Sequence, residues 1–470
     1  MAENIQNKLS RYKVSLKETT AAVRRAFEEF LLVPTCVIGG FLVLAFVSYV
    51  LDFRQFGTLA IFRQFLKSHV FADAQATSSL LGAIASGIIT MTSITISLLL
   101  LAVQQSAGSM TSQVFDQFLR RRHNQFYFGF FIGLALFSLI TLATVNEPYN
   151  PVFGGTIALL GTIAALYLLL ILLYTTINQM RPVEIIEAIH DLILKARENQ
   201  LHYISQTRSV SLYDGRVKLP VKAETHGFVT HIHFEKIEKA IGEIETEIVL
   251  LFSVGDYVTY QDTIAEVKAE TNSDAKKIVE CVRNAVNLER QRDISLDPAY
   301  GIQQLSMIAW TSISTAKSNP APGLLTIFSL RDILSRWSVD KDDSIIEKTL
   351  PVVYNDNVFA RLLEAFETFG IVATESMQHQ NYIEVLHTFT KIFDRLNEDH
   401  KERVEDIILR ILSALGDLVL TAELNKSLLD LAEKLKTSER IETANAIEKA
   451  RKKLALSVGE LNSRSTRVKS

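Results

Sequence analysis

The sequence predicts a membrane protein with four transmembrane α-helices followed by a cytoplasmic α+β region, in which a small antiparallel β unit precedes a helical C-terminal domain. Three observations lead to this prediction. Four uncharged apolar runs, each long enough to cross a bilayer, occur before Arg181. Apolar residues then alternate with period two from Val210 to Ala269, which is typical of strands, and helical periodicity follows from Asn272 onward.

The apolar runs contain no Asp, Glu, Lys, Arg or His. They are Phe30–Val50, Ser78–Val103, Phe126–Val145 and Val152–Tyr174. Proton-coupled transport and voltage sensing usually depend on charges inside the membrane, so the composition of the runs argues against both. In the third run, Gly129 and Gly133 form a GxxxG pair, which indicates a close contact with another helix.

The chain divides by composition into five regions. We expect an amphipathic cytoplasmic segment (1–29), the four-helix transmembrane domain (30–180), a helix plus small β domain (181–271), a helical C-terminal domain (272–458) and a disordered tail (459–470). The first helix predicted after residue 272 spans Asp274–Gln291. Basic residues concentrate in the N-terminal segment, at Arg120–Arg122 and at Arg181, which places both termini in the cytoplasm.

The second apolar run carries the candidate functional residues. Ser86, Thr90, Ser93 and Ser97 recur at spacings of four, three and four, so a helix presents all four hydroxyls on one face. Leu100 and Gln104 continue the same stripe. No charged residue occurs between Asp73 and Asp116, so we expect this helix to cross the membrane and continue into the cytoplasm.

Two interpretations of this stripe remain open. In the first interpretation, the hydroxyl face and Gln104 line a water-filled path that Leu100 closes by dewetting. Alternatively, small hydroxyl residues let neighbouring helices pack closely, or bond back to their own carbonyls. Beyond the stripe, Arg120, Arg121 and Arg122 either hold anionic lipid head groups or act only as a topology signal.

Catalytic and metal-binding signatures do not occur in the sequence. It contains no GxxxxGK[ST], HExxH, GxSxG or paired CxxC motif, and we therefore expect neither an enzyme nor a cofactor. His231 and His233 alternate on one predicted strand, but no further metal ligand can be placed beside them, so we expect no metal site. The net charge of −3 provides no argument for nucleic-acid binding.

Two segments together resemble one family of bacterial membrane proteins, known as domain of unknown function 2254. The first runs from the second apolar run into the third and matches through Gln104, Ser106, Ser109, Phe118, Leu119, Arg120, Asn124, Gln125 and Gly129. The second, Leu288–Ser314, matches through Glu289, Arg290, Asp297, Pro298, Tyr300, Gly301, Leu305, Ile308 and Ala309. The resemblance extends to about Trp337 and implies four membrane helices in the bacterial inner (plasma) membrane, with no known activity. The family usually has an acidic residue between an asparagine and a proline that match Asn319 and Pro320, and this chain lacks it.

The function that these observations favour is an oligomeric inner-membrane channel whose second helix lines a passive ion path. We expect a homo-oligomer, because a four-helix unit without internal charge gives little reason to conduct alone. The alternative is a membrane-anchored scaffold or sensor whose helical C-terminal domain binds a soluble partner.

Overall fold

The computed structural model describes residues 31–53, 63–68, 71, 73–109, 122–146, 149–179, 181–314, 319–338 and 349–457. Contacts divide the chain into two compact units, Met1–Arg181 and Pro182–Ser470. The predicted N-terminal segment (1–29) and tail (459–470) lie outside the described residues, and the finer division into five regions stays a prediction.

The described part of the first unit consists mainly of four long helices. They are α1 (Leu32–Phe53), α2 (Ala74–Ser109), α3 (Arg122–Ala143) and α4 (Val152–Gln179). Each contains a stretch long and apolar enough to cross a membrane, which confirms the four predicted spans. Helix α2 continues beyond the candidate span, which ends at Ser97, as one helix to Ser109. Its predicted continuation toward Gln125 passes through residues 110–121, which are not described.

Helices α1 and α3 approach each other at the GxxxG pair. A Cβ atom on Gly129 would lie 2.8 Å from the Cα atom of Pro34, and one on Gly133 would lie 2.4 Å from Cδ2 of Phe41. Both distances are shorter than a van der Waals contact, so only glycine permits this spacing at these positions. The predicted close helix contact is confirmed.

The second unit begins with a helix and two small sheets. The elements are α5 (Pro182–Ile204), β1 (Val217–Lys222), β2 (Gly227–Ile232), α6 (Phe234–Ile241), β3 (Thr246–Leu250), β4 (Tyr257–Val258), β5 (Thr263–Ala269), α7 (Asn272–Ala285), β6 (Val286–Glu289) and β7 (Val352–Val353), where β7 follows the first two helices of the next group. One sheet has the order β1-β5-β3-β7 and the other β4-β2-β6. All strand pairs are antiparallel except β3 with β7, which is parallel.

Two features of these sheets differ from the prediction. The helix predicted over Asp274–Gln291 ends at Ala285, and residues 286–289 form β6 against β2. The helical pattern there is overridden because Val286 gains burial and ladder hydrogen bonds beside β2. The short strand β7 joins β3 in parallel, so the sheet is mixed rather than wholly antiparallel.

A buried carboxylate joins the four-stranded sheet to the segment that precedes it. Glu247 on β3 accepts hydrogen bonds from the Ser211 hydroxyl, from the Leu212 N–H at 2.9 Å and from Lys268 on β5 at 3.4 Å. Burial by itself raises the pKa of the Glu247 carboxyl, but these hydrogen bonds lower it more, so the pKa lies below its usual value of 4.5. The carboxylate is therefore ionised at neutral pH and ties Ser211 and Leu212 to the sheet.

Seven further α-helices are described in the rest of the second unit. They are α8 (Pro298–Ile313), α9 (Ala321–Trp337), α10 (Val358–Glu375), α11 (His379–Ile392), α12 (Glu398–Ser413), α13 (Ala422–Thr437) and α14 (Ile441–Ser457). Polar residues set the start of several: Asn397 accepts a hydrogen bond from the His400 N–H, and Thr421 accepts one from the Leu424 N–H. Their apolar faces pack on one another, as the helical periodicity predicts.

Candidate functional site

Helix α2 has two faces of opposite exposure. On one face, Leu81, Ile84 and Ile88 are buried in the core that the four helices of the first unit share. On the other face, all four residues of the predicted hydroxyl stripe are exposed: Ser86, Thr90, Ser93 and Ser97. The structure therefore brings the stripe together on one face, and this face lies on the outer surface of the described part of the unit. Sequence periodicity alone could not distinguish the outward face from the core face.

Two of the exposed hydroxyls bond to carbonyls of their own helix. Thr90 donates to the Ser86 carbonyl at 2.9 Å, and Ser97 donates to the Ser93 carbonyl at 3.0 Å. This bond uses the hydroxyl hydrogen and leaves the lone pairs of the hydroxyl oxygen available as acceptors. The face can therefore accept hydrogen bonds, or coordinate a cation, without breaking its internal bonds.

The remaining predicted residues are described to different extents. Leu100 lies on the same face as the stripe, with 53% of its surface exposed. Gln104 belongs to α2, but its side chain is outside the described set, and Arg122 is the first residue of α3. Arg120 and Arg121 lie outside the described residues, so the choice between a lipid contact and a topology signal stays open for this cluster.

A buried acidic residue that the sequence reasoning missed lies at the end of α1. The predicted run ends at Val50, whereas α1 continues to Phe53 and includes Asp52. The carboxylate of Asp52 accepts hydrogen bonds from the N–H groups of Phe153 at 3.0 Å and Gly154 at 3.1 Å, and Arg63 lies 3.7 Å away. Asp52 thus caps the N-terminus of α4, where free N–H groups favour an anion.

The signal for this contact was present in the sequence. The N–H groups in the first turn of a helix have no acceptor within that helix, and Asp52 is an acidic residue close to the end of an apolar run. The sequence could not predict that Asp52 pairs with Phe153, because these residues are about a hundred positions apart. Asp52 also lines a cavity of about 350 Å³ together with Tyr49, Thr141 and Tyr149.

The second family-like segment forms a structural junction. Asp297 caps α8 by accepting from the Tyr300 N–H at 3.0 Å, and it also accepts from Arg292 Nε at 2.7 Å. Arg292 donates to Gln303 at 2.7 Å and lies 4.6 Å from the centre of the Tyr300 ring. A Cβ atom on Gly255, whose φ is +93°, would lie 2.4 Å from Arg292 Nη2, so this turn requires glycine.

These contacts assign the segment a packing role. Two of its charged residues, Arg292 and Asp297, are buried and paired with each other, and they connect the start of α8 to the turn before β4. We therefore identify it as an architectural element of the second unit.

Comparison with protein families agrees with this architecture. A family model described as "Predicted membrane protein (DUF2254)" matches residues 28–384. The match includes all four candidate spans, both sheets and the helices through α10, so it extends well beyond the segments that carry the resemblance. Comparison with curated proteins and with solved structures finds no match.

Proposed function

The chain belongs to the predicted membrane proteins of domain of unknown function 2254, and from that premise we propose that it is a homo-oligomeric channel lined by α2. The observation that carries the proposal is the outward position of the hydroxyl stripe. A polar face exposed on a single spanning unit meets either lipid or another copy, and contact with another copy or with water is the more favourable.

The spacing of the stripe fits contact between several copies of α2. From Ser86 to Leu100 the steps along the stripe are four, three, four and three residues, an average of 3.5, which is the repeat at which a helix keeps one seam facing its partners. Serine and threonine on that seam allow close approach. A ring of α2 helices therefore turns Ser86, Thr90, Ser93 and Ser97 toward its axis, with Gln104 near one end.

The chemistry of the seam favours small cations. Thr90 and Ser97 donate their hydrogens to their own helix, so each copy presents oxygen lone pairs to the axis. No charged side chain occurs in α2, so the path supports passive diffusion rather than charge-coupled transport. Leu100 is exposed on the same seam, so the Leu100 side chains of all copies form an apolar constriction that excludes water when the path narrows.

We further propose that the protein lies in the bacterial inner membrane with both termini in the cytoplasm. Basic residues concentrate in the N-terminal segment, at Arg120–Arg122 and at Arg181, and basic residues near helix ends are typical of the cytoplasmic side. We propose no catalytic activity, since the sequence holds none of the common nucleophile or metal motifs.

Ion flux through liposomes that contain the purified protein tests the proposal. We expect cation flux from the wild type, a loss of flux in Ser93→Trp and an increase in Leu100→Ser. Ile94→Trp is the matched control, because Ile94 is exposed on the same helix beside the stripe. Equal block by both tryptophan variants would contradict a path along the stripe.

Cross-linking through a single cysteine tests the oligomer separately. With Cys36 and Cys281 replaced by serine, Ser93→Cys is expected to form disulfide-linked dimers under mild oxidation. Failure to cross-link, together with no flux from the correctly inserted wild type, would favour the membrane-anchored scaffold or sensor instead.

A further inference from the structure

The cavity of about 350 Å³ beside Asp52 is a groove between α1 and α3. Its residues on α1 run from Leu42 to Asp52, and its residues on the side of α3 begin at Ile140. These positions follow the glycine contacts of the two helices, including the one between Gly133 and Phe41. The groove therefore lies near the C-terminal ends of two candidate spans, at one border of the bilayer.

The entrance of the groove is apolar and faces outward. Leu42 and Phe46 on α1 and Ile140 on α3 line it, and all three side chains are exposed. Because these residues belong to segments that cross the membrane, bilayer hydrocarbon reaches the entrance. Water inside a groove that opens to hydrocarbon would lose hydrogen bonds, so an apolar occupant from the bilayer is the more favourable.

The hydroxyl groups in the wall do not require a polar occupant. Ser48 donates its hydroxyl hydrogen to the Ala45 carbonyl at 2.9 Å. Thr141 donates to the Phe137 carbonyl at 2.8 Å, and Thr144 donates to the Thr141 carbonyl at 2.7 Å. A hydrocarbon chain in the groove therefore leaves none of these three hydroxyl hydrogens without a partner.

The groove presents no charge to its occupant. Asp52 is the one charged residue of the described lining, and its fully buried carboxylate accepts from the first N–H groups of α4. Arg63 lies 3.7 Å from this carboxylate and balances its charge. An ion entering the groove would lose its hydration without gaining a counter-charge, whereas a hydrocarbon chain loses nothing.

Two tyrosines mark the polar end of the groove. Tyr49 on α1 and Tyr149 in the loop before α4 line it, with their ring centres 5.6 Å apart. Tyrosine is enriched where a bilayer meets water, because its ring is apolar and its hydroxyl is polar. A lipid in the groove therefore has its head group at the tyrosines and its chain between Leu42 and Ile140.

The volume of the groove matches one lipid chain. A cavity of about 150 Å³ holds a benzene ring, so about 350 Å³ holds about fourteen carbon atoms at the same volume per carbon. This is close to the length of a single acyl chain and too small for two. The groove also lies within the usual size range of small-molecule sites, about 300–1,000 Å³.

We propose that this groove binds one acyl chain of a phospholipid, with the head group beside Tyr49 and Tyr149 and the second chain in the surrounding bilayer. Among the described lining residues none belongs to α2, so the site is separate from the proposed ion path. The bound chain fills the space between the ends of α1 and α3, and it gives the first unit a lipid-binding function.

Photolabelling of the purified full-length protein in detergent micelles tests this site. The probe is a phosphatidylcholine with a diazirine on one acyl chain, which inserts into neighbouring side chains on irradiation. Peptide mass spectrometry compares adducts on groove residues with adducts at Leu166 of α4, which is exposed outside the groove and reports ordinary contact with lipid. We expect groove labelling to saturate as the share of probe in the micelles rises, while labelling at Leu166 keeps increasing in proportion.

Tryptophan substitutions locate the binding in the groove. Ile140→Trp and Leu42→Trp fill the entrance from opposite helices, and we expect groove labelling to fall by about tenfold in each, which is the effect of excluding about two methylene groups. Leu139→Trp is the matched control. Leu139 is the neighbouring position on α3, with 41% of its surface exposed against 40% for Ile140, and it does not line the groove.

Three outcomes contradict the proposal. Groove labelling that increases in proportion to the probe, as at Leu166, would show ordinary lipid contact only. Labelling at Leu166 without labelling in the groove would mean that another copy of the chain or a detergent molecule covers the groove. Wild-type groove labelling in both Ile140→Trp and Leu42→Trp would place the labelled lipid elsewhere.

Discussion

Replacing Gly129 by alanine tests how closely α1 and α3 pack. The added Cβ atom would lie 2.8 Å from the Cα atom of Pro34 and 3.1 Å from its carbonyl oxygen. These are backbone atoms and cannot rotate away, so the two helices have to separate along their contact. We expect Gly129→Ala to destabilise the first unit.

The magnitude follows from comparison with Gly40→Ala. Gly40 lies on α1, and a Cβ atom added there would have no neighbouring atom within 4 Å, so alanine at this position meets open space. Both substitutions gain about 1 kcal/mol of helix propensity, whereas only Gly129→Ala incurs the cost of overpacking, about 1–3 kcal/mol. The propensity gain cancels in the comparison, so the two variants should differ by about 1–3 kcal/mol in free energy of unfolding.

Reversible unfolding by dodecyl sulfate in mixed micelles, followed by far-ultraviolet circular dichroism, measures this difference. Both variants and the wild type are compared at the same detergent composition. Equal stability of Gly129→Ala and Gly40→Ala would refute the close contact, because a close contact requires Gly129→Ala to be the less stable variant.

Three further predictions concern buried charged groups. Glu247→Gln should destabilise the second unit by about 2–4 kcal/mol at pH 7. Because the folded-state pKa of Glu247 is lowered, the stabilisation is present above the unfolded value near 4.5 and is lost as the pH falls below it, and the variant should lack this acid-dependent loss. Asp52→Ala should cost about 2–4 kcal/mol by removing the acceptor for the first N–H groups of α4. Arg292→Lys should cost about 2–3 kcal/mol, since an ammonium cannot bond both Asp297 and Gln303 in the same fork geometry.

Thermal unfolding of the purified variants in detergent measures all three. Exposed charges provide controls: Glu198→Gln for Glu247 and Lys453→Arg for Arg292 should leave the midpoint unchanged. Wild-type stability of Asp52→Ala would show that α4 finds another cap. A Glu247→Gln variant with the same acid sensitivity as the wild type would mean that another carboxylate governs the acid response.

Most of the fold was predictable because the relevant patterns are local. Apolar runs of sufficient length identify the four spans, since a bilayer requires each span to satisfy its own backbone. The GxxxG pair indicated the contact of α3, and alternating residues indicated the strands. The short strands β6 and β7 could not be predicted. They form because strands distant in sequence offer open edges, and no local pattern of residues indicates them.

The candidate sites show the same division. Sequence periodicity by itself determined that Ser86, Thr90, Ser93 and Ser97 share one face of a helix, because side-chain direction follows from the helix repeat. Only the tertiary structure decided that this face is exposed, that Asp52 caps α4 and that Leu42 and Ile140 line one groove. Each of these depends on which faces of distant segments bury one another, and burial is a property of the packed chain rather than of any local stretch of residues.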